Sequence, residues 1–251
     1  EICACLVGSE MCIRDSYNNV REVLEMNVYT TEKIRNVVLL GHSGCGKTSL
    51  VEAMAYLAGQ TTRMGTVADG STISDFDKEE IKRKCSISTT LVPVVWGKNK
   101  INVLDTPGMF DFVGEAQEAA SAADAAVIVV SGKAGVQVGT QKAWELCEKY
   151  NLPRMIFVTE MDQDDVSYRE VVEQLTELYG KRIAPLHMPL RENGKFVGYI
   201  NIVKNKGRRY IEKDKKEECP IPDYSVEYLE KYRETLMESV ACLLYTSDAA
   251  D

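Results

Sequence analysis

Residues Gly41-His42-Ser43-Gly44-Cys45-Gly46-Lys47-Thr48 constrain the fold of this chain more than any other stretch, because they fit the pattern G-x-x-x-x-G-K-S/T at every fixed position. An apolar, β-branched run, Asn36 to Leu40, precedes them, and an amphipathic stretch, Thr48 to Ala58, follows. That order predicts strand, loop and helix. Gly41, Gly44 and Gly46 let the backbone curl so that successive N–H groups and the helix N-terminus converge on phosphate oxygens. Lys47 adds a point charge and Thr48 a hydroxyl of the kind that holds Mg²⁺. The alternative, a glycine turn between unrelated elements, is disfavoured because the strand and helix that the motif needs are both present.

Length and composition leave room for one large domain, or one domain with a subdomain. Hydrophobic residues make up 45% of the 251 and charged residues 27%, ordinary values for a globular chain. The formal net charge of -8 argues against a broad electrostatic grip on nucleic acid, so no DNA partner is expected. No apolar run reaches membrane-spanning length and no signal peptide of the usual design is present, so a cytoplasmic protein with no membrane partner is expected.

Four of the eight cysteines fall in the two terminal stretches. Cys242 to Ser247 can be encoded by TGT CTC TTA TAC ACA TCT, whose reverse complement encodes the end of Glu10 through Asp15 into Ser16. The two ends can therefore be one inverted DNA repeat. Together with Cys5 to Gly8 and Asp248 to Asp251 they resemble translated transposon-type sequencing adapter and are set aside from fold reasoning. The alternative is a frayed arm and a small polar tail. Residues 1–25 are thus read as a non-native leader, with Met26 as the preferred start, and 242–251 as a scar. Cys45, Cys85, Cys147 and Cys219 show no metal-binding or disulfide spacing and are read as reduced thiols.

Further along, Gly59 to Asp77 is rich in Gly, Ser, Thr and Asp, and a loop of that length inside a compact domain is usually functional. It reads as a switch loop. Strands are expected over Ser86 to Trp96 and Lys100 to Asp105, joined by a turn at Gly97-Lys98-Asn99. The second strand delivers Asp105-Thr106-Pro107-Gly108. After a phosphate loop, an aspartate at a strand end holds the magnesium and the glycine two residues beyond Thr106 offers its N–H to the γ-phosphate. A small-residue helix, Gly114 to Ala123, leads to a buried strand, Ala125 to Ser131, then a helix, Thr140 to Tyr150, and another buried strand, Met155 to Val158, ending in Thr159-Glu160-Met161-Asp162. This alternation predicts an α/β fold of the three-layer phosphate-loop NTPase type, with ligand at the carboxyl ends of the strands.

Gly41 to Thr48, Asp105-Thr106-Pro107-Gly108, Asp111-Phe112-Val113-Gly114-Glu115 and Thr159 to Asp162, in this order and spacing, resemble the GTP-binding domain of translational GTPases, specifically elongation factor G and its paralogues. The resemblance runs from about Met26 to Ala241. It implies a G domain core over 26–164 and, over 165–241, an inserted α+β subdomain: helix Asp165 to Tyr179, the segment Ile183 to Leu190, a turn at Arg191 to Gly194, a β-rich Phe196 to Tyr210, and a closing helix with Val226, Leu229, Arg233, Leu236, Met237 and Val240 on one face. The loop with the last guanine contact would lie beyond Ala241, so the domain is read as truncated before its last strand.

The resemblance implies GTP or GDP with Mg²⁺ as ligands and the ribosome as partner. The nucleotide would be held by Gly41, His42, Ser43, Gly44, Cys45, Gly46, Lys47, Thr48 and Ser49, by Asp105 and Gly108, and by Thr159 and Asp162. The metal would be held by Thr48, Ser86 and Asp105, and Lys47 and Gly108 would act on the reacting phosphate. The departures are specific. Gly44 stands where elongation factor G usually has aspartate. Arg83-Lys84-Cys85-Ser86-Ile87-Ser88 replaces R-G-I-T-I-T, keeping a hydroxyl at Ser86 but placing Lys84 where the family has glycine. Met109 replaces the histidine that orients the attacking water, a role a thioether cannot fill. In the N-K-x-D motif, Thr159 can brace the loop and Asp162 can accept from the guanine ring N–H and amino group, whereas Glu160 loses the cover that lysine lays over the base. The expected function is a GTP-hydrolysing switch. The rivals are a GTP sensor with negligible hydrolysis, favoured by Met109, and a phosphate-loop ATPase or kinase, permitted by Glu160 and opposed by Asp162.

Other features receive plainer readings. The basic run Lys204 to Lys216 is diluted by Glu212, Asp214, Glu217 and Glu218 and reads as a solvated loop rather than an RNA patch. His187 reads as a core or edge histidine, the His42 side chain as packing, and Trp96 and Trp144 as core or surface aromatics.

Overall fold

The computed structural model of the chain describes residues 29–163, 165–212 and 215–248, with 212 and 242–248 as backbone only. The expectations for 1–25, and for the side chains from 242 on, lie outside the described residues.

The first sheet runs in the order β2-β3-β1-β4-β5. Its members are β1 (Ile34–Gly41), β2 (Thr90–Trp96), β3 (Asn99–Asp105), β4 (Ala125–Ser131) and β5 (Arg154–Thr159). All pairings are parallel except that of β2 with β3, a hairpin turned at Gly97. Pro93 is accommodated in β2 because that strand lies at the sheet edge, where one side needs no ladder donor. Side chains on the central strands alternate between two buried faces. Val38, Leu40, Ala126, Ile128 and Val130 meet α3 (Val113–Ala122) and α4 (Val138–Lys149), while Leu39, Val103, Val127 and Val129 meet α1 (Lys47–Leu57). Burial on both sides is why β4 is a continuous apolar run. The result is the expected three-layer α/β sandwich.

A short helix, α2 (Lys78–Arg83), which no sequence expectation included, interrupts the loop before β2. It starts at a capping box in which Asp77 accepts from Glu79 N and Glu80 returns to the Asp77 N–H. Consequently β2 begins at Thr90 and not at Ser86.

Beyond β5, α5 (Tyr168–Tyr179) leads into an antiparallel sheet of β6 (His187–Glu192), β7 (Lys195–Asn201), β8 (Lys206–Glu212) and β9 (Lys215–Cys219), followed by α6 (Asp223–Asp248). Its core is Met188, Leu190, Ile200 and Ile202 against Val172, Leu229 and Tyr232. Four expectations are corrected here. The helix starts at Tyr168, not Asp165, capped by Ser167. Arg191 belongs to β6, so the turn is confined to Asn193 and Gly194. The run Lys204 to Lys216 supplies β8 and the start of β9, so the charges from Lys206 to Glu212 and at Lys215 and Lys216 stand on strands and not in a loop. On α6 the packed residues are Leu229, Tyr232 and Leu236, while Val226, Met237 and Val240 are exposed, because a 3-4 pattern alone does not say which of two stripes meets the sheet. Helix α5 packs on both cores, through Val171 and Leu175 on one and Val172 on the other, and a stack ties it to α4. Trp144 of α4 lies 3.8 Å from the Tyr179 ring and 3.9 Å from the Arg154 guanidinium, and its indole N–H donates to Glu148 at 3.1 Å. Trp96 is exposed, and His187 is an exposed residue of edge strand β6, as one of its two readings expected.

Candidate functional site

The carboxyl ends of β1, β3, β4 and β5 converge on the loop Gly41–Gly46, which opens α1. Gly41 is where the loop leaves β1, and a Cβ there would lie 2.4 Å from the Val129 carbonyl of the neighbouring strand, so no side chain fits. Lys47 follows at once, 6% exposed, its ammonium donating to the carbonyls of His42 at 2.9 Å and Gly41 at 3.2 Å. Opposite it, Gly108 closes the cradle: a Cβ on Gly108 would stand 2.5 Å from Lys47 Nζ and 2.7 Å from the Ser43 backbone N. Ser43, Gly44 and Ser49 are exposed along the loop, and Cys45 is buried beneath it. The His42 ring packs 5.6 Å from that of Phe110, consistent with a packing role.

Thr48, Ser86, Asp105 and Asp75 form one oxygen cluster. The Thr48 hydroxyl donates to Asp105 at 2.9 Å, and the Ser86 hydroxyl donates to Asp75 at 2.7 Å. With both protons so committed, the two hydroxyl oxygens face each other at 3.2 Å with lone pairs only. The second oxygens of Asp75 and Asp105 are buried and have no hydrogen-bond partner among the described residues. Burial pushes the Asp105 carboxyl up to about 6, against the pull of the Ser74 hydroxyl, which lies close by without completing a hydrogen bond, of the Thr48 hydroxyl and of the Lys47 charge, and burial likewise raises Asp75. Hard oxygen donors, an excess of buried carboxylate and orphaned acceptors are what a small divalent cation satisfies, so the residues present fit Mg²⁺. Sequence reasoning misses Asp75. It lies in the stretch read as a switch loop, and nothing local distinguishes it from the other acidic residues there.

The segments on either side of α2 are held down by two buried glutamates. Glu52 of α1 accepts from the N–H groups of Gly65 and Ile73, both at 2.8 Å, and Glu80 of α2 accepts from Ile87 at 2.9 Å and Ser88 at 3.2 Å. Lys84 caps α2 with φ 55 and ψ 40, so the residue standing where glycine is expected takes the left-handed conformation that glycine would.

On the far side, Thr159 donates its hydroxyl to the Cys45 carbonyl at 2.8 Å, bracing the end of β5 against the phosphate loop. Glu160 is also left-handed, φ 57, and its carboxylate accepts the Ser131 hydroxyl. Asp162 follows, exposed, on the same edge. Met109 is 40% exposed next to Gly108. The site residues expected from sequence therefore fall on one edge of the sheet.

The Asp105 environment has a measurable consequence. In the metal-free folded state this carboxyl holds its proton up to about pH 6, whereas in the unfolded chain it releases it near 3.8. Below the lower value both states are protonated and the group contributes nothing; as pH rises the folded state bears a growing cost, complete above about 6 and worth about 3 kcal/mol. Asp105→Asn is therefore expected to stabilise the protein in EDTA far more at about pH 7.5 than at about pH 4.5. Urea denaturation at both values checks this, and an equal gain at both would show that burial of the ionised form carries no such cost.

Comparison with known proteins gives a consistent picture. Residues 32–244 match the family model described as the elongation factor Tu GTP binding domain. Among curated proteins, the mitochondrial ribosome-releasing factor 2 of Anopheles gambiae is 36% identical over 188 residues, covering 71% of this chain and 26% of that protein. The elongation factor G-like protein of Mycobacterium tuberculosis is 32% identical over 207 residues, covering 82% and 28%. A crystal structure from Thermus thermophilus superposes with a TM-score of 0.77 at 39% identity, over 82% of this chain and 31% of that one. The chain thus spans about a quarter to a third of the length of these relatives.

Proposed function

Because this chain belongs to the family of the elongation factor Tu GTP binding domain, we propose that it is the GTP-binding and GTP-hydrolysing switch of an elongation factor G-like translation factor that acts on the ribosome. The observation that carries the reading is the pairing of Thr48, at the start of α1, with Ser86, between α2 and β2, around the orphaned oxygens of Asp75 and Asp105. A hydroxyl from each side of the site turned to one point is the arrangement of a nucleotide switch whose loop closes over a metal-bound triphosphate.

Lys47 and the N–H groups of Gly41 to Thr48 hold the β- and γ-phosphates, and the Gly108 N–H faces the γ-phosphate. Thr48, Ser86 and Asp105 would hold Mg²⁺, with the Asp75 carboxylate adding negative charge beside them. Mg²⁺, when bound, neutralises charge developing on the phosphate oxygens. Thr159 keeps the base loop against the phosphate loop, and Asp162 accepts from the guanine ring N–H and amino group. Lys47 and the loop N–H groups offset the negative charge that accumulates as water displaces GDP. GTP and GDP are the nucleotides and the ribosome is the partner. Among the described residues no helix is long and apolar enough to cross a membrane, and the proposed location is the cytoplasm.

Two measurements test this: binding of GTP against ATP, and turnover with and without ribosomes. Micromolar or tighter GTP binding with ATP excluded, and exclusion relaxed in Asp162→Ala, is expected; equal binding of both nucleotides by the unaltered protein would refute it. Met109 favours a second reading, a GTP sensor that hydrolyses slowly, which the turnover arm separates.

A further inference from the structure

Arg191 reaches from the second sheet into the loop that carries Asp162. Its Nη2 donates to the backbone carbonyls of Met161 at 2.9 Å, Gln163 at 3.0 Å and Val166 at 3.1 Å, and its Nη1 donates to Gly194 at 2.9 Å. Two of the three carbonyls on Nη2 flank Asp162 directly, one on each side. The arginine is itself fixed from α6: the Tyr224 hydroxyl donates to the Arg191 carbonyl at 2.6 Å and accepts its N–H at 3.2 Å. A planar, always charged group with five donors suits this work, since it can satisfy several carbonyls at once without titrating.

The loop has few other anchors. Thr159 and Glu160 are tied to the Cys45 carbonyl and the Ser131 hydroxyl, but both precede the base-reading position. On its far side the chain is held by Arg191. Without it, the carbonyls of Met161 and Gln163 have no other hydrogen-bond donor among the described residues, and the turn that carries Asp162 keeps only the Gln163 N–H bond to the Glu160 carbonyl at 3.3 Å and the buried Val166 side chain.

We propose that Arg191 is the positioning residue for base recognition: through its carbonyl contacts, the sheet that follows α5 sets the aim of Asp162 and so the discrimination of guanine. This rests on the reading that Asp162 accepts from guanine. It extends that reading by making specificity depend on a side chain outside the nucleotide site and on the α6 residue that brackets it. A base whose edge offers two donors gains from correct aim at both, whereas a base offering one tolerates misalignment, so the loss should be selective.

The test compares GTP with inosine triphosphate, which lacks the 2-amino group, in the unaltered chain and in Arg191→Gln, Arg191→Lys, Tyr224→Phe and Asp162→Ala. The unaltered protein is expected to prefer GTP. Asp162→Ala should abolish that preference, and Arg191→Gln should reduce it by about three- to tenfold by weakening GTP more than the inosine nucleotide. Arg191→Lys, which keeps the charge but fewer donors, should fall between, and Tyr224→Phe should cause a smaller loss in the same direction. A tie that merely stiffens the fold would lower the melting temperature and weaken both nucleotides alike. Loss of preference in Asp162→Ala with unchanged preference in Arg191→Gln and Tyr224→Phe overturns the proposal and leaves the base reading standing. Unchanged preference in Asp162→Ala overturns both. Should Arg191→Gln fail to fold, Tyr224→Phe and Arg191→Lys decide.

Discussion

Met109→His is expected to raise GTP turnover on ribosomes by about 10²- to 10⁴-fold while leaving GTP affinity nearly unchanged, the range over which a positioned catalytic group changes rates. The side chain at this position follows Gly108, which closes against Lys47 and Ser43 and is proposed to face the γ-phosphate, and is 40% exposed. Its backbone is extended, φ -80 and ψ 141, and precedes the single turn Phe110–Phe112, so an imidazole there costs no rearrangement of the chain. A thioether accepts hydrogen bonds weakly and donates none. An imidazole can do both, and its ordinary pKa suits neutral pH. Single-turnover hydrolysis is the measurement. An unaltered protein as fast as Met109→His would mean that the water is oriented by the ribosome or by a backbone carbonyl, and that the switch is not slow.

Lys47→Ala is expected to weaken GTP and GDP binding by about 10²- to 10³-fold. The ammonium lies inside the loop, 6% exposed, so its interaction with phosphate is poorly screened. At about 4 Å, one pair of unit charges in such surroundings is worth about 4 kcal/mol, reduced by the water each group gives up. Fold stability without nucleotide should hardly fall, because the substitution removes a buried charge along with its bonds to the Gly41 and His42 carbonyls. Titration with a fluorescent GTP analogue reads the first quantity and urea denaturation the second. Affinity within threefold of the unaltered protein would remove Lys47 from the phosphate site.

The parts of this site that could be read from the sequence are those where backbone geometry or charge leaves few residue choices. Gly41 tolerates no Cβ against Val129, and Asp105 ends a strand whose pattern is plain, so both can be found without coordinates. Asp75 and Arg191 are different. Their roles depend on distance in space, eleven residues from Ser86 in one case and about thirty from Met161 in the other, and neither lies in a periodic pattern. Arg191 reads as part of a turn because Glu192, Asn193 and Gly194 read as one, although strand pairing carries β6 through Glu192. Lys204 to Lys216 misleads for a related reason. Charge on alternate faces of a narrow sheet is as frequent as in a loop, and only the pairing of β8 with β7 and β9 separates the two.

Thr48 and Glu52 stand one turn apart on α1, the first facing the phosphate and metal side and the second gripping the loop at Gly65 and Ile73. Four residues of helix span about 6 Å, and a helix of this kind is stiff over that length. The rod proposed to hold Mg²⁺ through Thr48 is therefore also the rod that clasps the loop through Glu52, and no relay of side chains is required between them.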